Sequence, residues 1–377
     1  MGSPTDAQRE RARRLPAALA QPHLDTSLPR VHRPASRDEH PSAPIPLIGA
    51  GVGAALREPL GESGLDVFPL FLGGAEFGWT IGQQASFDIL DRFAEFGGNA
   101  LHTADSFAAG RSEHIIGRWV ADRGVRDDVV IGVRIGGHPD HPGLGSVSLV
   151  RAVESSLERL GTDRIDVLYF DASETDQVPL EDSLATADWL VETGKVRVVG
   201  AYGLTANQLV EMRILSSAGY PRIPVIDVPY NVLRRDEFEG DLRLVARAQG
   251  IAVTPSHPLE HGYLSGQHRS RAQVAASSRG QQLADSMSRR GARVLKAMDR
   301  VSDELSVPHA AIAIAWLRAR AGVVAPIVNA YDAGHVDELV QGIGIELSDA
   351  HLADLDRAAQ ERIVDRYGAL GRPVGRL

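Results

Sequence analysis

The feature that most constrains the fold is a rhythm that begins near Leu60, where short apolar runs start to alternate with longer amphipathic stretches. The runs have the length of buried strands, and the stretches between them repeat apolar residues at helical spacing. Eight runs are predicted as strands: residues 68–72, 100–102, 129–134, 165–170, 196–201, 224–228, 251–255 and 323–328. Helices are predicted at residues 86–96, 112–123, 147–160, 180–193, 206–218, 237–248 and 310–321.

Eight strands that alternate with amphipathic helices predict an α/β fold of the (β/α)8 TIM-barrel type, which takes about 250 residues. The barrel is predicted to span residues 60–365, with a longer loop at 262–290 after the seventh strand. Residues 1–45 are rich in Arg, Ala, Pro and His without sustained periodicity, so they are predicted to be a disordered N-terminal tail. Residues 366–377 are expected to form a C-terminal tail.

Charge and cysteine content exclude several classes of function. The chain has 40 basic and 49 acidic residues, a formal charge of -9, which argues against a nucleic-acid or anionic-membrane partner. It has no cysteine, which excludes disulfides, thiolate metal sites and cysteine nucleophiles. No apolar run is long enough for a membrane span or a signal peptide. We therefore expect a cytoplasmic protein with a small-molecule substrate or ligand, and the sequence sets no oligomeric state.

Schiff-base chemistry is not expected, because it needs a lysine inside a pocket. The chain has two lysines: Lys195 lies just before the fifth predicted strand, on the barrel floor, and Lys296 lies in a late outer helix.

The segment at residues 98–107 reads Gly-Asn-Ala-Leu-His-Thr-Ala-Asp-Ser-Phe. It resembles the catalytic strand and loop of the aldo-keto reductases, which usually read Gly-Ile-Asn-Phe-Ile-Asp-Thr-Ala-Asp-x-Tyr-Gly. Residues 60–70 resemble the N-terminal hairpin that plugs the floor of that family's barrel. Further matches follow in order at residues 110–113, 157–166, 192–197, 258–259, 262–266 and 325–328. The resemblance thus covers essentially the whole predicted barrel and implies the same fold.

The resemblance does not extend to the catalytic tetrad. His102 stands where the family has Asp, Phe107 where it has Tyr, Arg134 where it has Lys, and Asp171 where it has His. Phenylalanine has no proton to donate to a carbonyl during hydride transfer. Arg134 stays charged at any working pH, so it can position an anion but cannot titrate usefully. Conventional NADPH-dependent carbonyl reduction is therefore not expected.

The positions that the resemblance assigns to the nicotinamide are altered too. Tyr202 follows the fifth strand where the family reads Val-Ser-Asn, and Asp227 replaces a Gln that meets the carboxamide. Tyr230 can still offer a ring face to a cofactor.

The rest of the implied dinucleotide site is mixed. The resemblance assigns the pyrophosphate region to Pro258, Leu259, Arg269 and Arg271. Where the family binds the adenosine and its phosphate, this chain has Tyr331, His335 and Leu339, so the charge of the phosphate clamp is lost. NADP(H) remains the cofactor that the resemblance implies, and the residues leave the cofactor unassigned.

The mouth of the predicted barrel gathers ionisable side chains rather than small or apolar ones, which favours a site with a new task. We hypothesise that His102 acts as a general acid/base oriented by Asp171 or Asp227, while Arg134 holds a substrate anion. Asp105, in the loop after the second strand, belongs to the same candidate set. Such a set suits isomerisation, dehydration or another non-redox lyase reaction.

Other interpretations stay open. Arg134 could bridge Asp171 and Asp227 in a closed ion network, leaving His102 as a core histidine. A metal could be held by strand-end residues: His102, Asp171, Asp227 and His257. The chain could also be an NAD(P)H-dependent oxidoreductase whose proton donor is Tyr202, His102 or a water molecule, or a non-catalytic binding or regulatory relative.

Overall fold

The computed structural model describes residues 56–172, 178–277 and 279–360. The predicted tails at 1–45 and 366–377 lie outside these ranges, as do the last residues of the predicted barrel, 361–365. Among the described residues, no helix has both the length and the apolar character needed to cross a membrane.

A two-stranded hairpin closes the floor of the barrel, as the motif at residues 60–70 predicts. Strands β1 (Glu58–Pro59) and β2 (Asp66–Val67) pair antiparallel. The turn between them buries Leu60 and Leu65 in the cluster of side chains that fills the lower barrel interior. Gly61, at φ +57, lies so close to the barrel that an added Cβ would come 2.4 Å from the Pro224 carbonyl oxygen. Only glycine fits this approach.

Eight parallel strands form the barrel wall, in agreement with the eight predicted runs. They are β3 (Phe71–Gly73), β4 (Ala100–Ala104), β5 (Val130–Ile135), β6 (Ile165–Asp171), β7 (Val196–Tyr202), β8 (Val225–Pro229), β9 (Ala252–Ser256) and β10 (Ile327–Val328). Neighbouring strands pair in the order β10-β3-β4-β5-β6-β7-β8-β9. Val253 completes the ring, since its N–H donates to the Gly322 carbonyl at 2.9 Å and its carbonyl accepts from the Val324 N–H at 3.0 Å.

Helices surround the barrel. They are α1 (Gln83–Glu95), α2 (Arg111–Arg123), α3 (Ser146–Leu160), α4 (Leu180–Glu192), α5 (Ala206–Ser217), α6 (Asp241–Ala248), α7 (Arg271–Ala275), α8 (Gly280–Ser286), α9 (Arg289–Leu305), α10 (His309–Arg318), α11 (Ala333–Gln341) and α12 (Asp349–Ala359). Each of the seven predicted helices is present. The helix predicted from residue 237 begins at Asp241, because Gly240 takes a φ of +130, which no helix accommodates.

The segment at 262–290, predicted as a loop, contains the short helices α7 and α8. Ser270 opens α7 with a capping box, in which its hydroxyl accepts from the Gln273 N–H and the Gln273 side chain accepts from the Ser270 N–H. Helices this short show no apolar period, so the sequence pattern cannot separate them from a loop.

The barrel axis is filled by Tyr169, whose large ring fits because two neighbouring strands carry glycine. A Cβ on Gly132 or on Gly200 would come 2.9 Å from the Tyr169 ring. His102 lies edge-on to this ring, with the ring centroids 5.5 Å apart. Tyr169 therefore separates the apolar floor from a polar layer at the carboxyl ends of the strands.

The hairpin plug leads to a stability prediction. Leu60→Ala is expected to lower the free energy of unfolding by about 2 to 5 kcal/mol, because it leaves a cavity beneath the barrel interior. Leu60 is fully buried, whereas Leu244 on α6 is 61% exposed, so Leu244→Ala is the matched control and should change stability by less than about 0.5 kcal/mol. Urea unfolding curves of both variants measure the two free energies of unfolding. Equal losses of stability would mean that the buried hairpin side chain does not stabilise the barrel floor.

Candidate functional site

A cavity of about 430 Å³ opens at the carboxyl ends of the strands, where TIM barrels carry their chemistry. Three of the five predicted catalytic residues line it: His102, Arg134 and Asp227. The remaining lining residues are Ala75, Trp79, Ser106, Phe107, Ala108, Ser256, His257, Arg279, Ile327 and Asn329.

His102 and Asp227 face each other across the barrel axis. They come from β4 and β8, which lie four strands apart in the ring, so their side chains approach from opposite walls. The His102 Nε2 atom lies 3.8 Å from the Asp227 Oδ2 atom, and both side chains are almost completely buried. Among the described residues, neither Nε2 nor either carboxyl oxygen makes a well-formed hydrogen bond.

Burial changes the protonation of both groups. Burial and, to a lesser extent, the nearby Arg134 charge together lower the pKa of His102 to about 3. Burial raises the pKa of Asp227 to about 7, an effect that Arg134 and Ser256 oppose and Asp171 reinforces. At neutral pH the imidazole is therefore uncharged, and the carboxyl group is close to half ionised.

Arg134 is held by one carboxylate and two rings. Its Nε atom lies 3.4 Å from the Asp171 Oδ2 atom, and its guanidinium lies 4.3 Å from the centre of the Tyr202 ring and 5.5 Å from that of Phe107. Within this described group the ion pair joins Arg134 to Asp171, while Asp227 faces His102 instead. Arg134 therefore forms an ion pair with Asp171 but not with Asp227, so the network that would join both carboxylates is incomplete.

Asp105 lies beside the cavity rather than in its lining. Its carboxyl group accepts from the Gly136 N–H at 3.1 Å, and its own N–H donates to the Arg134 carbonyl at 3.0 Å. Burial is the main cause that raises its pKa. These contacts hold the loop after β5 against the end of β4. Asp105 therefore helps to position β5, the strand that carries Arg134.

The two tyrosines predicted near a cofactor separate in the structure. Tyr202 is half-buried beneath Arg134, at the side of the cavity. Tyr230 points outward, donates its hydroxyl to Glu239 at 2.7 Å and packs against the rings of Phe238 and Trp316. The side chain at 230 is therefore occupied in the layer between barrel and helices and offers no face to the cavity.

The predicted pyrophosphate residues do not converge on one anion site. Pro258 is buried and Leu259 half-buried in the turn after β9. Arg269 donates two hydrogen bonds to Asp299, at 3.0 and 2.5 Å, and a third to the Gly266 carbonyl. Arg271 is exposed at the start of α7. An arginine already paired with a carboxylate is a poor phosphate ligand.

A polar bridge crosses the rim of the cavity near the position implied for the adenosine. Arg279 pairs with the buried Glu76 and lies 5.3 Å from the Trp79 ring centre. Glu76 also accepts from the Thr80 hydroxyl at 2.5 Å and from the Tyr331 hydroxyl at 3.4 Å. The bridge joins the loop after β3 to the segment before α8.

The residues beyond the bridge are no better suited to an adenosine phosphate. Leu339 is buried and His335 lies beside Asp332, with 3.5 Å between His335 Nδ1 and Asp332 Oδ2. With Arg269 paired to Asp299 and a carboxylate at this edge, the residues present do not fit NADP(H) in the position that the resemblance implies.

The lining residues absent from the predicted set include Trp79, Arg279 and Ser256, for physical reasons. Trp79 and Arg279 lie in segments that the sequence marks only as loops, and Ser256 is a single hydroxyl at the end of a strand. None carries a local motif. The barrel fold brings them to the cavity mouth, and of the three Ser256 alone adjoins a predicted strand end.

The residues considered as metal ligands do not form a metal-binding group in the described part of the chain. Among the described residues, no three His, Cys, Asp or Glu side chains come together as a metal-binding group. His257 instead stacks on His261, with 4.7 Å between their ring centroids, and burial lowers the pKa of His257 to about 3.

Comparisons with known proteins agree on one family. The model of the aldo/keto reductase family matches residues 69–360. Norsolorinic acid reductase of Aspergillus flavus is 27% identical over 336 residues, which cover 84% of each chain. An aldo-keto reductase of Alternaria alternata is 27% identical, covering 84% of this chain and 94% of its own. A protein of Arabidopsis thaliana named as a probable voltage-gated potassium channel subunit beta is 27% identical, covering 76% and 90%.

The raised pKa of Asp227 predicts how stability depends on pH. Between pH 3.8 and about 7 the folded protein keeps a proton on Asp227 that the unfolded chain has lost, so this group makes stability fall as pH rises. Asp227→Asn removes the effect. Its free energy of unfolding, relative to the unsubstituted protein, should therefore rise across this window by at most about 1.4 kcal/mol per pH unit.

Urea unfolding below, within and above that window measures the difference. Asp303→Asn, at an exposed position on α9, is the matched control and should show no such trend. A constant difference between the Asp227 variant and the unsubstituted protein would mean that the buried carboxyl is ionised throughout.

Proposed function

Because the chain belongs to the aldo/keto reductase family, we propose that it keeps the family barrel but performs acid/base chemistry on a small molecule without hydride transfer. One observation carries this proposal: His102 and Asp227 face each other at the cavity floor, almost completely buried, with no well-formed hydrogen bond to either group among the described residues. A reaction of the isomerase or lyase type is the class that such a pair serves.

The two groups take different parts. Asp227 is the general base, because its pKa of about 7 lets a carboxylate form at neutral pH and still hold a proton strongly. His102 is uncharged, so it serves as a neutral hydrogen-bond donor or acceptor to the reacting oxygen. Arg134 supplies a fixed positive charge at the wall, which favours negative charge developing on the substrate.

Phe107 supports the absence of hydride chemistry at this site. It lines the cavity where the family resemblance expects a tyrosine, and it has no proton to give. Its ring packs beside Arg134 instead, so the position contributes an apolar wall.

Carbonyl reduction is the second candidate, and the names of the relatives favour it, since two of them are called reductases. In that case Tyr202, His102 or a water molecule would have to replace the tyrosine donor. Burial raises the pKa of Tyr202, which makes its phenol a weaker acid. A cytoplasmic location and the lack of a nucleic-acid or membrane partner stay predictions from composition.

Deuterium uptake tests the proposed chemistry. In D₂O without nucleotide, the protein is expected to exchange carbon-bound protons of small oxo or hydroxy compounds, as followed by proton NMR. The rate should rise with pH and reach half its maximum near the pKa of Asp227, about 7, because the base must be deprotonated. Asp227→Asn should lower it by roughly 10² to 10⁴ and His102→Asn should also reduce it.

His309→Asn is the matched control, since His309 is a buried histidine near Asp299, 3.1 Å away, outside the cavity. It should leave exchange unchanged. Exchange that persists in both the His102 and Asp227 variants would remove the acid/base assignment.

Cofactor titration separates the two candidates. Calorimetry with NADPH and with NADH is expected to show no saturation below about 1 mM, because Arg269 is paired with Asp299 and the rim carries Glu76. Micromolar binding, followed by oxidation of NADPH with an aldehyde or ketone, would support the oxidoreductase instead.

A further inference from the structure

Four polar atoms at the cavity floor make no well-formed hydrogen bond among the described residues, although the Ser256 side chain and N–H lie near enough to Asp227 to offset part of the rise that burial causes in its pKa. They are the Nε2 atom of His102, both carboxyl oxygens of Asp227 and the hydroxyl oxygen of Ser256. Their side chains are each nine-tenths or more buried, and all three residues line the same cavity. Leaving so many buried polar groups unpaired is costly, so a ligand or water must satisfy them.

The hydrogen-bonding capacity of these four atoms matches a ligand that carries oxygen atoms on two adjacent carbons. Asp227 offers two acceptors and Ser256 offers a hydroxyl, which can donate or accept. They lie on the adjacent strands β8 and β9, while His102 approaches from the opposite wall. A hydroxyl and a carbonyl on adjacent carbons present one donor and two acceptors, which match this arrangement of groups.

Charge excludes a carboxylate or phosphate from the floor. Asp227 would repel it, and the nearest fixed cation, Arg134, already lies 3.4 Å from Asp171. The end of the ligand that enters first is therefore uncharged. Any anionic part has to stay outside the floor, toward the cavity mouth where the Trp79 ring is exposed.

From this geometry we propose that the substrate is an α-hydroxycarbonyl compound, a hydroxyaldehyde or hydroxyketone, and that the reaction is its aldose–ketose type isomerisation. The proposal rests on the acid/base function proposed above. In it, Asp227 contacts the carbon-bound proton, and His102 and Ser256 each hold one of the two oxygens.

The reaction balances within the substrate. The Asp227 carboxylate removes the proton from the carbon that bears the hydroxyl, and the electron pair of that C–H bond forms the C=C bond of an enediol. The carbonyl oxygen receives the electron pair of its double bond and a proton from the neighbouring hydroxyl, while His102 Nε2 hydrogen-bonds to the developing charge. Asp227 then returns its proton to the former carbonyl carbon, which takes the electron pair of the C=C bond, while the oxygen that gave up its proton forms the new C=O bond. One C–H bond breaks, one forms, and no oxidant or cofactor is consumed.

NMR in D₂O with the full chain and no nucleotide tests the substrate class. Three panels are compared: hydroxyaldehydes and hydroxyketones of three to six carbons, 2-oxo acids, and 3-hydroxy acids. We expect deuterium uptake and interconversion in the first panel only. Ser256→Ala should reduce kcat/KM for that panel about tenfold, consistent with loss of one buried hydrogen bond.

Ser286→Ala, a buried serine on α8 outside the cavity, is the matched control and should leave the rate unchanged. Circular dichroism and thermal unfolding establish that both variants are folded. If Asp227→Asn fails to fold, Ser256→Ala still carries the test.

The outcomes separate the two proposals. Exchange confined to 2-oxo or 3-hydroxy acids would overturn the α-hydroxycarbonyl class while leaving the acid/base function standing. Absence of exchange in every panel would overturn both. Interconversion in the first panel that Ser256→Ala slows and Ser286→Ala does not would support the inference.

Discussion

The rest of the site depends on the burial of an aspartate, Asp227, whose carboxyl oxygens make no well-formed hydrogen bond among the described residues. Asp227 keeps its place because the parallel register of β7, β8 and β9 points its side chain at the barrel axis. An unpaired carboxylate there is expensive, so the group retains its proton up to about neutral pH. The same burial keeps His102 uncharged, so the two groups can face each other without forming an ion pair.

The barrel itself could be predicted from sequence because it depends on local patterns repeated many times. Each strand is a short apolar run and each main helix an amphipathic stretch, so errors of one or two residues at the ends do not change the topology. The segment at 262–290 shows the limit, since α7 and α8 are held by Ser270 capping and by contacts that have no period. Short helices depend on tertiary packing more than on propensity.

The candidate site could be predicted only as far as strand ends determine it. His102, Arg134 and Asp227 follow from their strands and do line the cavity. Side-chain direction could not be read in the same way: Tyr230 turns outward to Glu239, and Asp105 turns toward Gly136. Trp79 and Arg279 come from loops far apart in sequence, and their meeting depends on the Glu76 ion pair, which no local pattern encodes.

The side chains at the four positions that the family resemblance assigns to the tetrad interact with one another. A lysine at 134 would be a compact, strongly hydrated charge, whereas the planar guanidinium of Arg134 stacks on Tyr202 and lies beside the Phe107 ring. A tyrosine at 107 would place a hydroxyl near that cation, while phenylalanine leaves only the apolar wall. Asp171 then balances the Arg134 charge, so that His102 and Asp227 experience a weakened positive field. The side chains at the four positions therefore form one arrangement, which is compatible with the proposed acid/base function.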